Sequence, residues 1–427
     1  MTQHGPDREP GRAPQVYLIA DDLTGAADSA VTFAKYGARV AVSWPPSDGL
    51  PTEALEDLDV VAVTTESRHI PRPEAVRRVT AAAQSVGASG SPGWVYKKVD
   101  STLRGHPGAE LSALMAALAS KGPGFSRALV APALPSQRRV TRNGVHFVDG
   151  VPLAETVFGS EVGSSSVADL FAVEEVGLLS LMVLRRGMAV ADSEVSSSTV
   201  VVADAETDAD LAAVVDLARA AGTRLLCGSA GLADALAASL SEVWYPTESG
   251  ISTLGTVDAG VLVIAGSRHP RTLRQIDTLA GAGVQIVCPD AVWFEAGATD
   301  CGDVVDALVT ALDDGGIAVV TTAGLPLLSV SGMQMASRLA ETAGMLLDRR
   351  PLGGLILTGG DTAIAVCREL GATALRLVGE VERGVPWGGL VGGRWDGLPV
   401  VTKAGGFGDT DTLMRTVRFI EGLEGAV

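Results

Sequence analysis

The sequence predicts an α/β protein of two domains, each a mainly parallel sheet flanked by helices. Apolar strands alternate with helical stretches: "QVYLIADD" precedes "TGAADSAVTFAKYG" and "ARVAVSW", and "GLILTGGD" precedes "TAIAVCREL". Strands that are apolar throughout are typical of parallel sheets covered on both faces. The length of 427 residues suits two or three domains rather than a single core.

The domain boundary is predicted where this alternation stops. Residues 242–258, "EVWYPTESGISTLGTVD", are rich in Pro, Gly, Ser and Thr, as interdomain linkers are. An N-terminal domain of residues 15–241 and a C-terminal domain of residues 259–427 follow from this boundary. Residues 1–14 are polar and are expected to form a disordered tail. Ligands of open α/β sheets bind beyond the carboxyl ends of the strands, so a cleft between the two domains is the expected site.

Composition excludes several classes of protein. The net charge of −17 argues against nucleic acid as a partner, although a few local Lys and Arg residues can still form a pocket for a small anion. No stretch approaches the roughly 18 uncharged apolar residues of a membrane span, and the polar start lacks the apolar core of a secretory signal. The cysteines are scattered without a CxxC pair, which predicts reduced thiols in the cytoplasm: Cys227, Cys288, Cys301 and Cys367.

Two adjacent carboxylates end the first predicted strand, in "LIADDLTGAADSA". Thr24 is a candidate N-cap for the following helix, which Gly37 would end. Asp21 and Asp22 could instead be a second cap or solvated turn acids. A pair of carboxylates before a helix could also bind hydroxyl groups, hold a cation or deprotonate an alcohol.

A second polar cluster lies in "KKVDSTLRGHPGAE". In a strand, Lys98 and Asp100 share one face and Lys97 takes the other. The cluster combines cations, hydroxyls and an acid within seven residues, namely Lys98, Asp100, Ser101, Thr102 and Arg104. This set suits a small polar anion, because Arg forks onto a carboxylate. A structural ion pair between Asp100 and Arg104 is the alternative for those two residues, and "TTESRHI" adds Arg68 as a second candidate anion contact.

Three Gly- or Ser-containing turns follow strands in the C-terminal half, in "AGSRHPRT", "TGGDTA" and "TKAGGFGDTDTL". Adjacent glycines before a helix let backbone N–H groups approach a phosphate, and the helix N-terminus favours its charge. A tight turn that needs positive φ would explain each glycine pair equally well. Three such turns in one domain favour a phosphate site, with these candidates: Ser267, Thr272, Gly359, Gly360, Asp361, Thr362, Gly405, Gly406, Phe407 and Gly408.

Common catalytic signatures are missing from the sequence. There is no GxxxxGK[ST] phosphate loop, no GxGxxG after a strand and no HExxH. The histidines are isolated from one another: His4, His69, His106, His146 and His269. Neither a dedicated metal site nor a Ser-His-Asp hydrolase is therefore expected.

The ordered set of motifs resembles the four-carbon acid sugar kinase family. The resemblance runs through "ADDLTGAADSA", "TESR", "KKVDSTLRG", "APALPSQRR", "GSAGLADAL", "AGS", "LTGGDTA" and "KAGGFGD" and so covers nearly the whole chain. It implies an N-terminal domain that binds a sugar acid and a C-terminal domain that binds ATP. It also implies Mg²⁺-aided transfer of the γ-phosphate to a terminal hydroxyl, an active site in the interdomain cleft and, on the resemblance alone, a homodimer.

The resemblance implies roles for particular residues. Asp22 orients or deprotonates the acceptor hydroxyl, with Asp409 as the alternative base. Residues assigned to the sugar acid are Asp21, Asp22, Thr24, Arg68, Lys98, Asp100, Ser101, Thr102, Arg104 and Arg139. Backbone amides of the glycine turns stabilise the transferring phosphoryl group, and Mg²⁺ is held by ATP oxygens and water rather than by a dedicated protein site.

This sequence departs from the family pattern at two motifs. Arg138 and Arg139 stand where the family has a Gly-Arg pair, and Ala404 replaces a Ser. Residues 160–198 align with no specificity motif. The preferred sugar acid and its stereochemistry therefore stay open. Two rival functions are a non-catalytic sensor of sugar acid and nucleotide, and an NAD-dependent hydroxy-acid oxidoreductase.

Overall fold

The computed structural model describes residues 14–44, 58–86, 92–171, 176–186, 198–244, 260–295, 301–323, 325 and 331–424. The chain divides into two compact units, residues 1–247 and 248–427. Each unit contains a mainly parallel sheet flanked by helices, which confirms the predicted fold class. Most of the predicted tail and of the predicted linker 242–258 lies outside the described residues, so the domain boundaries stay a prediction.

The N-terminal unit is built on a parallel sheet. Its strands are β1 (Val16–Ala20), β2 (Val40–Ser43), β3 (Val60–Thr64), β4 (Trp94–Lys98), β5 (Ala128–Ala131), β9 (Val176–Leu179), β10 (Val200–Ala203) and β11 (Leu225–Gly228). They lie in the order β2-β3-β1-β4-β11-β5-β10-β9, and every pair is parallel. Its main helices are α1 (Leu23–Ala34), α2 (Arg72–Ser85), α3 (Pro107–Leu118), α7 (Asp208–Ala220) and α8 (Ala230–Ser239).

A small antiparallel sheet is inserted between β5 and β9. It consists of β6 (Arg139–Arg142), β7 (Val145–Val148) and β8 (Val151–Pro152), and the short helices α4 (Gly159–Val162) and α5 (Val167–Phe171) follow it. A further short helix, α6 (Leu181–Leu184), follows β9. Asn143 and Gly144 join β6 to β7 with φ angles of 51° and 73°, as the central residues of a type I′ hairpin turn require.

The C-terminal unit contains a mixed sheet. Its strands are β12 (Val261–Ala265), β13 (Gln285–Val287), β14 (Ile317–Thr321), β15 (Gly354–Thr358), β16 (Ala374–Glu382), β17 (Val385–Val391) and β18 (Pro399–Lys403). The order is β13-β14-β12-β15-β18-β17-β16, with β17 antiparallel to both of its neighbours. Its helices are α9 (Pro270–Gly281), α10 (Ala291–Glu295), α11 (Gly302–Gly315), α12 (Gly332–Arg349), α13 (Gly360–Glu369) and α14 (Thr412–Glu424).

Strand register explains why polar loops that are distant in sequence meet. In the N-terminal unit Ala20 pairs with Thr64 and Ile19 with Lys97, so the loops after β1, β3 and β4 leave the same edge of the sheet. In the C-terminal unit Thr358 pairs with both Ala265 and Lys403, which brings together the loops after β12, β15 and β18. No helix of the described residues is long and apolar enough to cross a membrane.

Candidate active site

Arg68 forms the centre of the polar cluster in the N-terminal unit. Its Nε and Nη2 each donate a 2.8 Å hydrogen bond to Asp21, and its Nη1 and Nη2 donate to Asp22 at 2.9 and 2.7 Å. The side chains of Arg68, Asp21 and Asp22 are only 9%, 4% and 13% exposed. Burial alone would raise the pKa of Asp21, but the Arg68 guanidinium outweighs burial and lowers it. Arg68 therefore binds two adjacent carboxylates and holds that of Asp21 in its charged form.

Asp22 is the N-cap of α1. Its Oδ1 accepts a 3.0 Å hydrogen bond from the Gly25 amide, and Thr24 Oγ1 donates to its Oδ2 at 2.8 Å. The prediction that Thr24 caps the helix is wrong, because the helix begins at Leu23 and the Thr24 hydroxyl supports the cap from within the first turn. A Cβ at Gly25 would overlap Asp22 Oδ1 and would lie 3.1 Å from Lys98 Nζ. Glycine thus lets the cap carboxylate and this lysine approach the helix backbone.

Asp100 and Arg104 form the ion pair that was the structural alternative for these residues. Arg104 Nε lies 2.8 Å from Asp100 Oδ2, Thr102 donates to the same oxygen, and Arg68 Nη2 is 3.9 Å from Asp100 Oδ1. Burial would raise the pKa of Asp100, but the neighbouring arginines hold it well below its usual value. Arg104 remains 29% exposed above the Phe158 ring, and its Nη1 makes no hydrogen bond among the described residues. One edge of this guanidinium is therefore available to a ligand.

The two lysines of β4 have different surroundings. Lys97 is fully buried and its Nζ lies 2.7 Å from Glu110, which accepts a 2.6 Å hydrogen bond from Ser67. Burial would lower the pKa of Lys97, but Glu110 outweighs burial and raises it. Lys98 is 4% exposed, and its Nζ donates to the Val99 carbonyl at 3.0 Å. Lys97 and Glu110 thus form a buried ion pair behind the Arg68 cluster, whereas Lys98 lies beside Asp22.

The inserted sheet supports the loop after β4. Arg139 Nη1 donates to Ser101 Oγ at 2.7 Å. His146 is fully buried: its Nε2 donates to the Ser101 carbonyl at 2.9 Å, and Thr141 Oγ1 donates to its Nδ1 at 3.0 Å. Burial lowers the pKa of His146 to about 4, so the ring is neutral at pH 7. Arg138, in contrast, is 78% exposed and pairs with Asp149.

Sequence reasoning missed His146 by treating it as isolated. The signal was the Asn-Gly pair at residues 143–144, which is typical of a two-residue hairpin turn. Such a turn sets Thr141 opposite His146, as the structure has them. Lys97 and Glu110 were missed because nothing in the spacing indicates which acid meets which buried lysine.

Ser267 lies between two glycine turns of the C-terminal unit. A Cβ at Gly405 would overlap Ser267 Oγ, and a Cβ at Gly359 would lie 3.4 Å from the Ser267 amide nitrogen. Gly359 has a φ of 105°, which L side chains rarely adopt. Both turns thus need glycine, and the structure brings the three predicted stretches into one place.

Buried side chains of α9 donate hydrogen bonds to carbonyl groups of the 404–409 turn. Thr272 Oγ1 donates to the Gly405 carbonyl at 2.9 Å, and Gln275 Nε2 donates to the carbonyls of Phe407 and Asp409 at 3.1 and 2.7 Å. Gln275 and Thr272 are both fully buried. These bonds fix the orientation of successive peptide groups, and the predicted Thr272 therefore acts on the turn from within α9.

Three amide groups of the same turn are open among the described residues, whereas the Phe407 amide donates to the Ala404 carbonyl at 3.1 Å. Within the described part of the chain, the N–H groups of Gly405, Gly406 and Gly408 make no hydrogen bond. The first turn of α13, which includes Gly360, Asp361 and Thr362, has no side-chain cap. Unpaired amides at a helix N-terminus and in a glycine turn form a site for an anion such as a phosphate.

The two candidate acids of the C-terminal unit, Asp361 and Asp409, are exposed. Asp409 accepts 2.9 Å hydrogen bonds from Arg415 Nη2 and from the Asp411 amide, and the Arg415 hydrogen bond lowers its pKa. Asp361 is exposed in the first turn of α13, next to the open amides. No group of three or more His, Cys, Asp or Glu side chains that could hold a metal ion occurs among the described residues.

Comparisons with known proteins define the class first. Residues 16–236 match the family model of a sugar-binding N-terminal domain, and residues 262–413 match that of a nucleotide-binding C-terminal domain. A D-threonate kinase of Salmonella typhimurium is 33% identical over 95% of this chain and 98% of its own length. The chain thus has the two-domain organisation of a phosphotransferase that acts on a sugar, and it belongs to the four-carbon acid sugar kinase family.

Other relatives carry related activities. A D-erythronate kinase of Heliobacterium modesticaldum is 31% identical over 95% of this chain and 97% of the relative. A 3-oxo-tetronate kinase of Cupriavidus necator is 28% identical over 96% of this chain and 98% of the relative. A crystal structure of a Salmonella typhimurium protein shares the fold, with a TM-score of 0.75 at 23% identity over 95% of this chain and 99% of that one.

Proposed function

We propose that this enzyme transfers the γ-phosphate of ATP to the terminal hydroxyl of a four-carbon sugar acid such as threonate, erythronate or an oxo-tetronate. The observation that carries the proposal is a pair of complementary sites in one chain. The N-terminal unit has a charged cluster with one open arginine edge, and the C-terminal unit has unpaired amides held around Ser267. The names of the relatives support a sugar acid as the acceptor.

Arg104 and Lys98 are the proposed ligands of the substrate carboxylate. Among the described residues, Arg104 Nη1 makes no hydrogen bond and Lys98 Nζ donates to one backbone carbonyl, and the Arg104 side chain is 29% exposed. Arg68, which the sequence also offered for this role, already donates to both oxygens of Asp21 and of Asp22. Its proposed role is to position these acids. Arg139, Ser101 and Thr102 shape the same loop, and the partly buried Ser101–Arg139 pair is a second candidate contact for substrate hydroxyls.

Asp22 is the preferred group for orienting the acceptor hydroxyl. It is more exposed than Asp21, and its position at the helix start is fixed by Gly25 and Arg68. Asp409, the alternative base, is ion-paired with Arg415. Phosphoryl transfer requires positioning and neutralisation of charge more than a strong base, so a carboxylate held in a fixed position suffices.

The open amides around Ser267 are the proposed phosphate ligands. They would neutralise charge on the transferring phosphoryl group. The peptide groups would need little reorganisation, because Thr272 and Gln275 already hold their carbonyl oxygens by hydrogen bonds. Mg²⁺ would be held by nucleotide oxygens and water with Asp361 as one carboxylate, and it supplies further charge neutralisation. The acceptor and nucleotide sites belong to different units, so the reaction requires the two bound substrates to come together. The interdomain position of the active site stays a prediction.

Three further expectations stay predictions. They are a cytoplasmic location, a homodimer and the absence of a nucleic acid partner. The sensor and the NAD-dependent oxidoreductase are the rivals that an activity assay must separate.

The test is release of ADP from ATP–Mg²⁺ across D- and L-threonate, D- and L-erythronate, their oxo forms and threitol. Threitol has the hydroxyls but no carboxylate, so it is the matched control for the proposed carboxylate site. The proposal expects turnover with at least one acid and none with threitol. ATP binding without turnover on any acid would favour the sensor, and thermal stabilisation by NAD but not by ATP–Mg²⁺ would favour the oxidoreductase.

A further inference from the structure

Lys403 is a buried cation to which the open amides of the phosphate site assign no role. It ends β18 and is 1% exposed. Its Nζ donates to the Ala404 carbonyl at 3.0 Å and to the Phe407 carbonyl and Thr272 Oγ1, both at 3.4 Å. No carboxylate forms an ion pair with it in the part of the chain that the structure describes. Burial of an ammonium group without a counter-ion is costly, so an interaction with an anionic ligand would offset that cost.

The contacts of Lys403 tie the two glycine turns together. Its side chain donates hydrogen bonds to two carbonyls of the 404–409 turn. Its own backbone carbonyl accepts a 3.1 Å hydrogen bond from the Gly359 amide. Together, Lys403, Thr272 and Gln275 donate hydrogen bonds to four carbonyls of this turn, those of residues 404, 405, 407 and 409. The amides of Gly405, Gly406 and Gly408 are left to face a ligand.

We propose that Lys403 is a positioning residue of the nucleotide site, whose buried ammonium fixes the glycine turn and adds a positive charge beneath the bound phosphates. This inference rests on the proposed function, because it needs a nucleotide at the open amides. It extends that function by assigning the charge of the site to a lysine outside any phosphate-loop motif. Gln275 and Thr272 orient the same peptides but carry no charge.

Few charged groups surround Lys403. Glu382 of β16, which is itself paired with Arg415 of α14, favours the charged form of Lys403, while Arg271 of α9 disfavours it. Burial lowers the pKa of Lys403 to about 8, with a smaller opposing effect of Glu382 and a reinforcing one of Arg271. A phosphate bound above the turn favours the charged form and raises this pKa again. Nucleotide binding near pH 8.5 is therefore coupled to uptake of a proton by the protein.

The experiment is calorimetric titration of ADP–Mg²⁺ into the full chain at pH 8.5, in two buffers with different ionisation enthalpies. The wild type is expected to bind ADP with proton uptake. Lys403→Met should bind at least about tenfold more weakly, since a charge-assisted hydrogen bond is lost, and should take up no proton through this site. Lys403→Gln keeps an N–H donor for the carbonyls without the charge, so it should recover part of the affinity but not the uptake. Lys121→Met removes an exposed lysine and serves as the control.

The outcomes separate this inference from the proposed function. Absence of ADP and ATP binding by the wild type would refute the nucleotide site as a whole. ADP binding by the wild type without proton uptake overturns the role of Lys403, even if both variants fail to fold. Equal affinity and equal uptake in folded Lys403→Met overturn it as well. A rise of the KM for ATP with an unchanged KM for the sugar acid supports it, because a general structural defect would move both.

Discussion

Replacement of Arg68 by Met is expected to destabilise the N-terminal unit strongly at neutral pH. The variant keeps much of the side-chain volume but removes four hydrogen bonds of 2.7–2.9 Å to Asp21 and Asp22. It also removes a cation 3.9 Å from Asp100. Three largely buried carboxylates are then left close together without their central counter-ion.

The magnitude follows from burial. Removal of one partner of a buried ion pair costs about 3–5 kcal/mol, whereas an exposed pair contributes about 0–1 kcal/mol. Arg68 is 9% exposed, but Arg77, which pairs with Glu74 on α2, is 77% exposed. Arg77→Met is therefore the matched control. In this variant the free energy of unfolding of the N-terminal unit should change by less than about 1 kcal/mol.

The effect should depend on pH with a defined sign. The lowered pKa values of Asp21 and Asp100 contribute stability above the ordinary value of 3.8, and this contribution is lost as the pH falls through the folded-state values. In Arg68→Met the largest charge that opposes the effect of burial is lost, so the pKa values of Asp21 and Asp100 should rise. The difference in stability between wild type and variant should be largest near pH 7 and should shrink toward pH 4.

Amide hydrogen exchange of β1 and β4 measures this change within the N-terminal unit. At pH 7 exchange of these strands should be at least about 100-fold faster in Arg68→Met than in the wild type. A difference no larger than that of Arg77→Met would refute the view that Arg68 is the counter-ion of the cluster. A difference that grows toward acid pH would refute the assigned charge states.

Three other changes test separate parts of the site. Asp22→Asn keeps the helix cap but loses the charge, so kcat should fall by about 10²–10⁴ while calorimetry finds ADP affinity unchanged. Gly405→Ala should weaken ADP binding about tenfold or more by calorimetry, because its Cβ would overlap Ser267 Oγ, whereas Gly281→Ala faces open space and should bind normally. His146→Gln should remove an acid-sensitive part of the stability. A folded-state pKa of about 4 against the ordinary 6.5 corresponds to about 3 kcal/mol of stability, which is present above pH 6.5 and lost toward pH 4. Urea unfolding at several pH values measures this loss.

Each of these predictions has an outcome that contradicts it. Near-normal kcat in Asp22→Asn would remove that carboxylate from the reaction. Equal ADP affinity in the two alanine variants would mean that the glycine turn is not the phosphate site. A parallel pH dependence of stability in His146→Gln and wild type would mean that this histidine does not titrate with folding.

The sequence predicts the fold and the meeting of distant loops because both follow from general rules. Buried apolar strands that alternate with helices require parallel sheets, and parallel strands gather their carboxyl-end loops at one edge. On that basis Asp21 and Arg68 are expected together, and so are Ser267 and Gly405. The register of β1, β3, β12, β15 and β18 is the physical reason.

The partners of each polar group could not be predicted in the same way. Thr24 and Asp22 are both good N-caps, and only the start of the helix at Leu23 decides between them. Arg68 suits a substrate carboxylate as well as a protein one, and only the distances show it occupied by protein acids. Lys403 precedes the glycine turn in sequence, but its contacts depend on a side chain that folds back on its own loop.

Phosphorus NMR of the reaction with D-threonate, D-erythronate and ATP–Mg²⁺ is the most direct test of phosphate transfer to a sugar acid, because it identifies the bond that forms. We expect a new phosphate-monoester signal that grows in step with ADP for at least one sugar acid, and no such signal with threitol. Growth of inorganic phosphate alone, or a monoester signal that appears equally with threitol, would contradict it.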